Sequence, residues 1–547
     1  MNTLEMSTIV TFICITLGYP VAKYLSGSRS VWAAIFLVAI LLPFWISVLV
    51  RTYSWMIILG RYGVINELLM NLGLIDQPLK LMYNRIGVYV GMVYFMFPYA
   101  ILPMMSVMGQ IDRSLMQAAE NLGSNPWQAF RHVFFPLSLP GLGAAGVLTF
   151  MICVGFYVTP ALMGGPRDTM ISMSIYTELE EVKDWGFASS QATLLLVTIS
   201  ILFLIYTKFF GIGTLLGRDI KTASLSLPAD IDKRKKDRRL FTRLRSGFWT
   251  DERASALDEI VYKSQDWILN LKKYISKLLP KFLSKISLGQ LSLGGIRGTV
   301  FIFMASPVLV VVPMAFSNDA LMHFPPEQWG FDLFREYFTS DEWIRTTINS
   351  FSVAIPVMFF ATLLGTLASL SLVRGKYWGK QYYYAIFLFP IITPFIINAI
   401  AAYFFFSKLR LIGTITNLIL AHTALAIPFV VIVMTAVLEG FDERLEQASM
   451  SLGAGRIRTF LKVTLPIIRP GLISAAILAF IRSFDELVVA MFLSGVKAKT
   501  LPKQMWEGIR DEINPTLSAV ATLLIGFSII LMVVVTLLRR RTEHYQV

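Results

Sequence analysis

The chain has 547 residues, of which 55% are apolar, 13% aromatic and only 15% charged, and its mean hydropathy of +0.63 excludes an ordinary soluble domain in favour of a polytopic membrane protein. A net charge of +14 would suit a nucleic-acid binder, but the basic residues gather in loops and one linker beside hydrophobic spans, the distribution of the positive-inside rule, so no nucleic-acid partner is expected. Cys14 and Cys153 lie inside apolar runs, and His132, His323, His422 and His544 are scattered, which leaves neither a disulfide framework nor metal-ligand spacing.

In chain order, the first apolar span covers about Ser7 to Tyr24; it follows no basic segment and reads as a transmembrane helix rather than a signal peptide. Lys23 and Arg29 then mark a cytoplasmic turn. A second span runs from Val31 to Leu59 and carries Arg51, Tyr53 and Trp55 as an interface-type cluster, and a third runs from Ile86 to Met108. A polar segment follows, a fourth span is expected over Gly141 to Met163, and an acidic excursion with Glu178, Glu180, Glu181, Asp184 and Trp185 leads to a fifth over Ser189 to Phe210.

Gly213 to Arg297 carries 18 Lys/Arg against 9 Asp/Glu and reads as a cytoplasmic linker. Its stretch from Lys233 to Arg239 is expected to be disordered and drawn to anionic headgroups. Trp267, Leu271, Ile275 and Leu278 recur at helical spacing among lysines, a pattern that fits a helix on the membrane surface or one packed on a partner subunit. The second half supplies spans over Thr299–Phe316, Ile348–Val373, Tyr382–Phe406, Thr414–Leu438, Gly471–Leu493 and Thr516–Leu538, with an external loop from Asn318 to Thr346 and a closing Arg539-Arg540-Arg541 on the cytoplasmic side. The count is five spans and then six. It puts the N-terminus outside and leaves the first half without a counterpart of Thr299–Phe316, either because the chain starts at the second helix or because its start lies inside a longer reading frame.

The polar segment Gln117–Gly141, QAAENLGSNPWQAFRHVFFPLSLPG, occurs again as Gln447–Gly471, QASMSLGAGRIRTFLKVTLPIIRPG. Gly123 pairs with Gly453, Phe130 with Phe460, Pro136 with Pro466 and Pro140 with Pro470; subtracting 123 from 453 gives 330, and every pair repeats it. One device is built twice. Ala118, Ala119, Ala448 and Ser449 are small enough for close helix contact, and Leu122 and Leu452 provide an apolar anchor. Gly123 and Gly453 end the short helix, and Pro136 and Pro466 are expected to stop the next run. The register extends to Pro98 with Pro428, so the fold class is an all-α bundle of two like halves, residues 1–212 and 298–547, related by a two-fold along the membrane normal and joined by the linker 213–297.

The repeat resembles the EAA loop of permease subunits of ATP-binding-cassette importers, with Gln117 and Gln447 where that family has Glu and Ser449 in place of the second Ala. LLPFWISVLVRTYSW at Leu41–Trp55, DWGFA at Asp184–Ala188, FPPEQWGFDLFREYF at Phe324–Phe338 and RSFDELVVAMFLSG at Arg482–Gly495 make the halves similar to the B-type and C-type permeases of spermidine/putrescine importers. The resemblance implies a bacterial inner-membrane importer subunit that is not an enzyme, with no cofactor of its own. ATP would be bound by two partner ATPase subunits that dock on Gln117, Ala118, Ala119, Glu120 and Gly123 and on Gln447, Ala448, Ser449 and Gly453, and a separate binding protein would deliver the solute. The chain itself has no phosphate-binding G-x-x-x-x-G-K-[S/T] loop. Related importers for phosphonates, opine-like compounds and ferric iron share much of this pattern, and an ion-coupled transporter is the rival class. Asp485 and Glu486 stand inside an apolar span, where a carboxylate costs about 2.5–3.5 kcal/mol; they either attract a cationic solute or are neutralised by Arg482 on the same helix face. The acidic groups from Glu178 to Asp184, with Glu507, Asp511 and Glu512, form an outward patch that either receives a basic partner or is simply solvated.

Overall fold

A computed structural model describes residues 2–28, 30–210, 288–318, 324–511 and 514–543. The basic stretch 233–239, the helical spacing at 267–278 and Glu512 lie outside these. Both halves belong to one compact unit, Met1–Ile212 with Phe301–Val547; Gly213–Val300 is a second unit. Among the described residues the elements are helices, with one isolated bridge between Ser317 and Trp329.

The first half comprises α1 (Asn2–Gly27), α2 (Val31–Trp45), α3 (Val48–Leu59), α4 (Val64–Asn71), α5 (Arg85–Met108) and α6 (Arg113–Asn121). It continues with α7 (Pro126–Val154), then α8 (Val158–Met163), α9 (Ile171–Thr177) and α10 (Trp185–Phe210). The second half comprises α11 (Leu288–Met314), α12 (Asp332–Thr339), α13 (Asp341–Arg374), α14 (Lys380–Ile392), α15 (Phe395–Lys408), α16 (Ile415–Glu439) and α17 (Arg444–Ser451). After these come α18 (Arg456–Phe484), α19 (Val488–Leu493), α20 (Leu501–Arg510) and α21 (Thr516–Glu543). Nine of these helices are long and apolar enough to cross a membrane, and two bent pairs raise the count to 11, the number expected from the sequence.

Each half is built on a three-helix core, α1 with α5 and α7, and α13 with α16 and α18. The repeat is visible in the packing itself. A Cβ on Gly141 would sit 2.8 Å from Val107 Cβ, and one on Gly471 would sit 2.5 Å from Val437 Cγ2. Both pairs obey the 330-residue register, and both let the glycine backbone of one helix sit directly against the valine side chain of its neighbour.

The structure corrects the sequence reading in four places. The spans expected over Val31–Leu59 and Tyr382–Phe406 are not straight: α2 and α3 meet at a bend of 110° and α14 and α15 at 101°. At the second bend Pro394 has no N–H and holds Thr393 extended; at the first, the Ser47 hydroxyl accepts the N–H of Leu49 and starts α3 anew. Consequently α3 turns into the protein, and Arg51, Tyr53 and Trp55, expected at the water interface, are buried. Second, Pro136 and Pro466 do not stop the helix: α7 and α18 run on through π turns at Phe130–Phe134 and Phe460–Thr464, whose wider winding accommodates the proline that follows. Third, the spans expected to continue to Met163 and Leu493 break at Gly155 and Asp485 before the short helices α8 and α19. Fourth, the outer loop expected to reach Thr346 ends earlier, because α13 already begins at Asp341. Its 34 residues span about 51 Å at 1.5 Å per residue, well beyond a hydrocarbon core of about 30 Å.

Candidate functional site

The two copies of the repeat form matching projections from the two helix cores. Asp112 caps α6 by accepting the N–H of Ser114 at 2.9 Å, and Asp442 accepts the N–H of Arg444 at 2.9 Å ahead of α17. Those backbone and side-chain hydrogen bonds with Ser114 hold the exposed Asp112 carboxyl below its ordinary pKa of 3.8. At the other end Gly123 takes φ 91° and Gly453 φ 85°, where a side chain is strained. Ser124 and Ala454 donate back to Ala119 and Ser449, and Gly123 and Gly453 to Glu120 and Met450, the double bond pattern of a Schellman stop.

Neither α6 nor α17 buries a residue. Gln117, Ala118, Glu120 and Gly123 are exposed, as are Gln447, Ala448 and Gly453; Ala119 and Ser449 are half-buried. Leu122 and Leu452 stand 88% and 89% exposed, so each helix ends in an uncovered apolar knob. Ser449 in place of alanine is matched by a second change. Its hydroxyl is 3.1 Å from that of Thr459, whereas the first half has alanine at both positions, Ala119 and Ala129.

Each projection is tied to its core, but differently. Arg113 of the first donates to the carbonyl of Gly27 at the end of α1. In the second, Arg374 at the end of α13 holds Glu446 at 2.8 Å, and Thr464 donates to the same carboxylate. The first-half position matching Glu446 is Met116.

The second locus is the seam between halves. Asp485 lies at the break between α18 and α19, and its Oδ2 accepts the N–H of Val48, 3.4 Å away, at the start of α3. The matching residue Gly155 lies at the break between α7 and α8, where a Cβ would be 2.8 Å from Pro394 at the bend before α15. Each break thus meets the other half's bend, and α3 packs on α20 as α9 packs on α15, an exchange that a two-fold relation produces. Asp485 Oδ1 is buried without a partner beside a cavity of about 30 Å³ lined by Trp45, Ser47, Phe480, Phe484 and Phe527 among others.

Glu486 behaves differently. Its carboxylate accepts the N–H groups of Val489 at 2.9 Å and Ala490 at 3.1 Å, closing the first turn of α19, and His422 Nε2 approaches to 3.6 Å. Arg482 makes no ion pair with either acid; its guanidinium lies over Phe429 at 4.9 Å and Phe395 at 5.5 Å. Direct pairing with Arg482, one of the two readings the sequence left open, is therefore not formed, because aromatic faces take the guanidinium instead.

Sequence reasoning placed Arg51 at the water interface, and the structure buries it. It is 7% exposed, its guanidinium lies 4.4 Å from the centre of Phe95, and its Nε donates to the Ser47 carbonyl at 3.3 Å. An arginine inside an apolar run was the available signal. His422, read only as one of four scattered histidines, is buried inside the second half, with the Ser483 hydroxyl 3.0 Å from its Nδ1. Within the acidic groups expected to form an outward patch, some acids are paired while staying exposed: Arg510 contacts Glu181 at 3.0 Å across the halves, and Lys499 contacts Glu507 at 2.6 Å and the neighbouring Glu342 at 3.0 Å.

Two segments, residues 14–221 and 293–544, match the family model described as binding-protein-dependent transport system inner membrane component. A spermidine/putrescine transport system permease protein PotB of Haemophilus influenzae is 32% identical over 207 residues, 38% of this chain and 72% of its own. The PotC permease protein of the same organism's system is 28% identical over 246 residues, 45% of this chain and 95% of its own. Among solved structures, a bacterial ABC transporter that imports the acidic polysaccharide alginate covers 48% of this chain and 98% of its own, at 16% identity and a TM-score of 0.36.

Proposed function

This chain belongs to the inner membrane components of binding-protein-dependent transport systems and carries the family's domain twice; from that premise we propose that it supplies both permease halves of an importer for a polyamine such as spermidine or putrescine. The halves lie in the inner membrane and form the path. Two ATPase subunits, which bind the ATP, grip the projections α6 and α17, and a binding protein presents the solute at the outer face. The support for the solute class is that the relatives of both halves are named for spermidine/putrescine systems, together with the free carboxylate oxygen of Asp485 at the seam, which offers a cationic solute a partner. Glu486, engaged by backbone N–H groups, has the lesser part in that contact and a positioning role for α19.

Mechanically, α6 and α17 act as levers. ATP-driven closure of the ATPases draws the two knobs together, and the tethers at Gly27 and Arg374 pass that motion to the three-helix cores, which rock about the seam. The decisive experiment reconstitutes the chain with its ATPases and binding protein and follows labelled spermidine. ATP-dependent uptake that survives dissipation of ion gradients and is slowed by Asp485→Asn supports the reading. Uptake driven by an ion gradient without ATP rejects the importer, and ATP-driven uptake of a phosphonate, an opine-like compound or ferric iron instead of a polyamine rejects the solute class.

A further inference from the structure

Between α11 and α13 the chain makes an aromatic excursion to which the transport reading gives no task. Ser317 bridges Trp329 in antiparallel fashion; the Gly330 N–H donates to the Phe316 carbonyl at 2.8 Å, and the Asn318 N–H to the Gln328 carbonyl at 2.9 Å. Strands so paired lie about 5 Å apart, and Ser317 comes directly after the end of α11 at Met314. Trp329 is therefore pinned at the level where a membrane span ends. One side of the following helix, α12, is occupied: the Phe334 ring lies 5.2 Å from that of Phe316, the Tyr337 hydroxyl lies 2.8 Å from that of Thr347 in α13, and the helix packs on α21. The other side is bare. Trp329, Phe331 and Phe338 are 62%, 69% and 59% exposed. Arg335 falls between Phe331 and Phe338 on one helix face; it is exposed and forms no ion pair among the described residues.

What covers this face follows from the surface it continues. Ile302 and Leu309 are exposed on one stripe of α11, inside a span apolar enough to cross the membrane. Phe316 extends the stripe at the same spacing of seven, and Phe331, with its ring 5.4 Å from that of Phe316, carries it onto α12. We propose that Trp329, Phe331, Arg335 and Phe338 form an interfacial anchor seated in the headgroup layer of the bilayer, the aromatic rings at the acyl boundary and the guanidinium on lipid phosphate. Arg374, at the far end of α13, pairs with Glu446 of α17, so the anchor grips the leaflet remote from that projection. It gives α13 a fixed pivot at one end while the other end follows α17. Lever motion then tilts α13 instead of lifting it. The anchor does not depend on which solute is carried.

The test attaches a nitroxide to Phe338→Cys and, separately, to Glu336→Cys on the opposite helix face, in the full chain in bilayers containing phosphatidylglycerol. The native Cys14 and Cys153 are buried and stay unlabelled. Collision with oxygen, which concentrates in lipid, is compared with collision with a water-soluble nickel chelate. The oxygen-to-nickel ratio is expected to be higher at 338 than at 336. Trp329→Ser with Arg335→Glu, both at exposed side chains, lowers the ratio at 338 about fivefold, the factor that corresponds to about 1 kcal/mol of headgroup attraction. A ratio at 338 equal to or below that at 336 overturns the anchor, as does a folded double variant whose ratio does not fall. Shielding of 338 from both reagents, the mark of a second protein on the face, overturns it as well.

Discussion

Replacing the knob leucines separates docking from folding. Leu122 and Leu452 are 88% and 89% exposed in the chain alone, so Leu→Ala there removes almost no buried surface from the fold, and global stability should move by less than about 0.5 kcal/mol. If each side chain is swallowed by an ATPase groove, the three carbons removed contribute about 0.8 kcal/mol each, or about 2.4 kcal/mol per knob. That is a weakening of about 50-fold per site. Because two linked sites bind with mutual reinforcement, the double variant should lose assembly far beyond either single one. The assay titrates ATPase subunits onto the permease in nanodiscs, with thermal unfolding followed in parallel. Unchanged affinity in both single variants, or a fall in melting temperature without a fall in affinity, would refute the docking role.

Three further outcomes are expected. Asp485→Asn keeps shape and removes charge, so it should lower polyamine transport several-fold while binding of ATPase subunits stays at the parent value; equal uptake kinetics count against Asp485 as a solute contact. Glu446→Gln weakens a partly buried ion pair whose loss costs about 1–3 kcal/mol, and because Glu446 is on the side of α17 turned to Arg374 rather than to solvent, the number of solutes moved per ATP should drop while subunit affinity holds. Gly155→Ala forces a methyl group to within 2.8 Å of Pro394 and should destabilise the closed seam by about 1–3 kcal/mol, seen as a lower unfolding midpoint, whereas Gly453→Asn, at a site with open space and left-handed backbone, should be tolerated far better than Gly453→Val.

What the sequence made legible was what is local or repeated. The Schellman stops at Gly123 and Gly453 follow from glycine between polar helix and turn, and the 330-residue register carried through to the contacts of Gly141 with Val107 and Gly471 with Val437. The bends at Ser47 and Pro394 were hidden because apolar residues flank them on both sides, and hydropathy is blind to direction. The same blindness placed Arg51 at an interface: a buried guanidinium on a phenyl face and a guanidinium at the water line have the same neighbours in sequence. For Asp485 and Glu486, adjacent positions suggested a shared role, yet backbone geometry divides them. One faces a bend in the opposite half, and the other folds back onto its own next helix.

The unlike junctions at Asp485 and Gly155 bear on why both halves are on one polypeptide. Two copies of the second half would bring a pair of carboxylates to the axis, and two copies of the first would bring none. Covalent joining matches each Asp485 with one Gly155 at fixed one-to-one stoichiometry, whatever the level of expression, and removes the need for the halves to find the right mate.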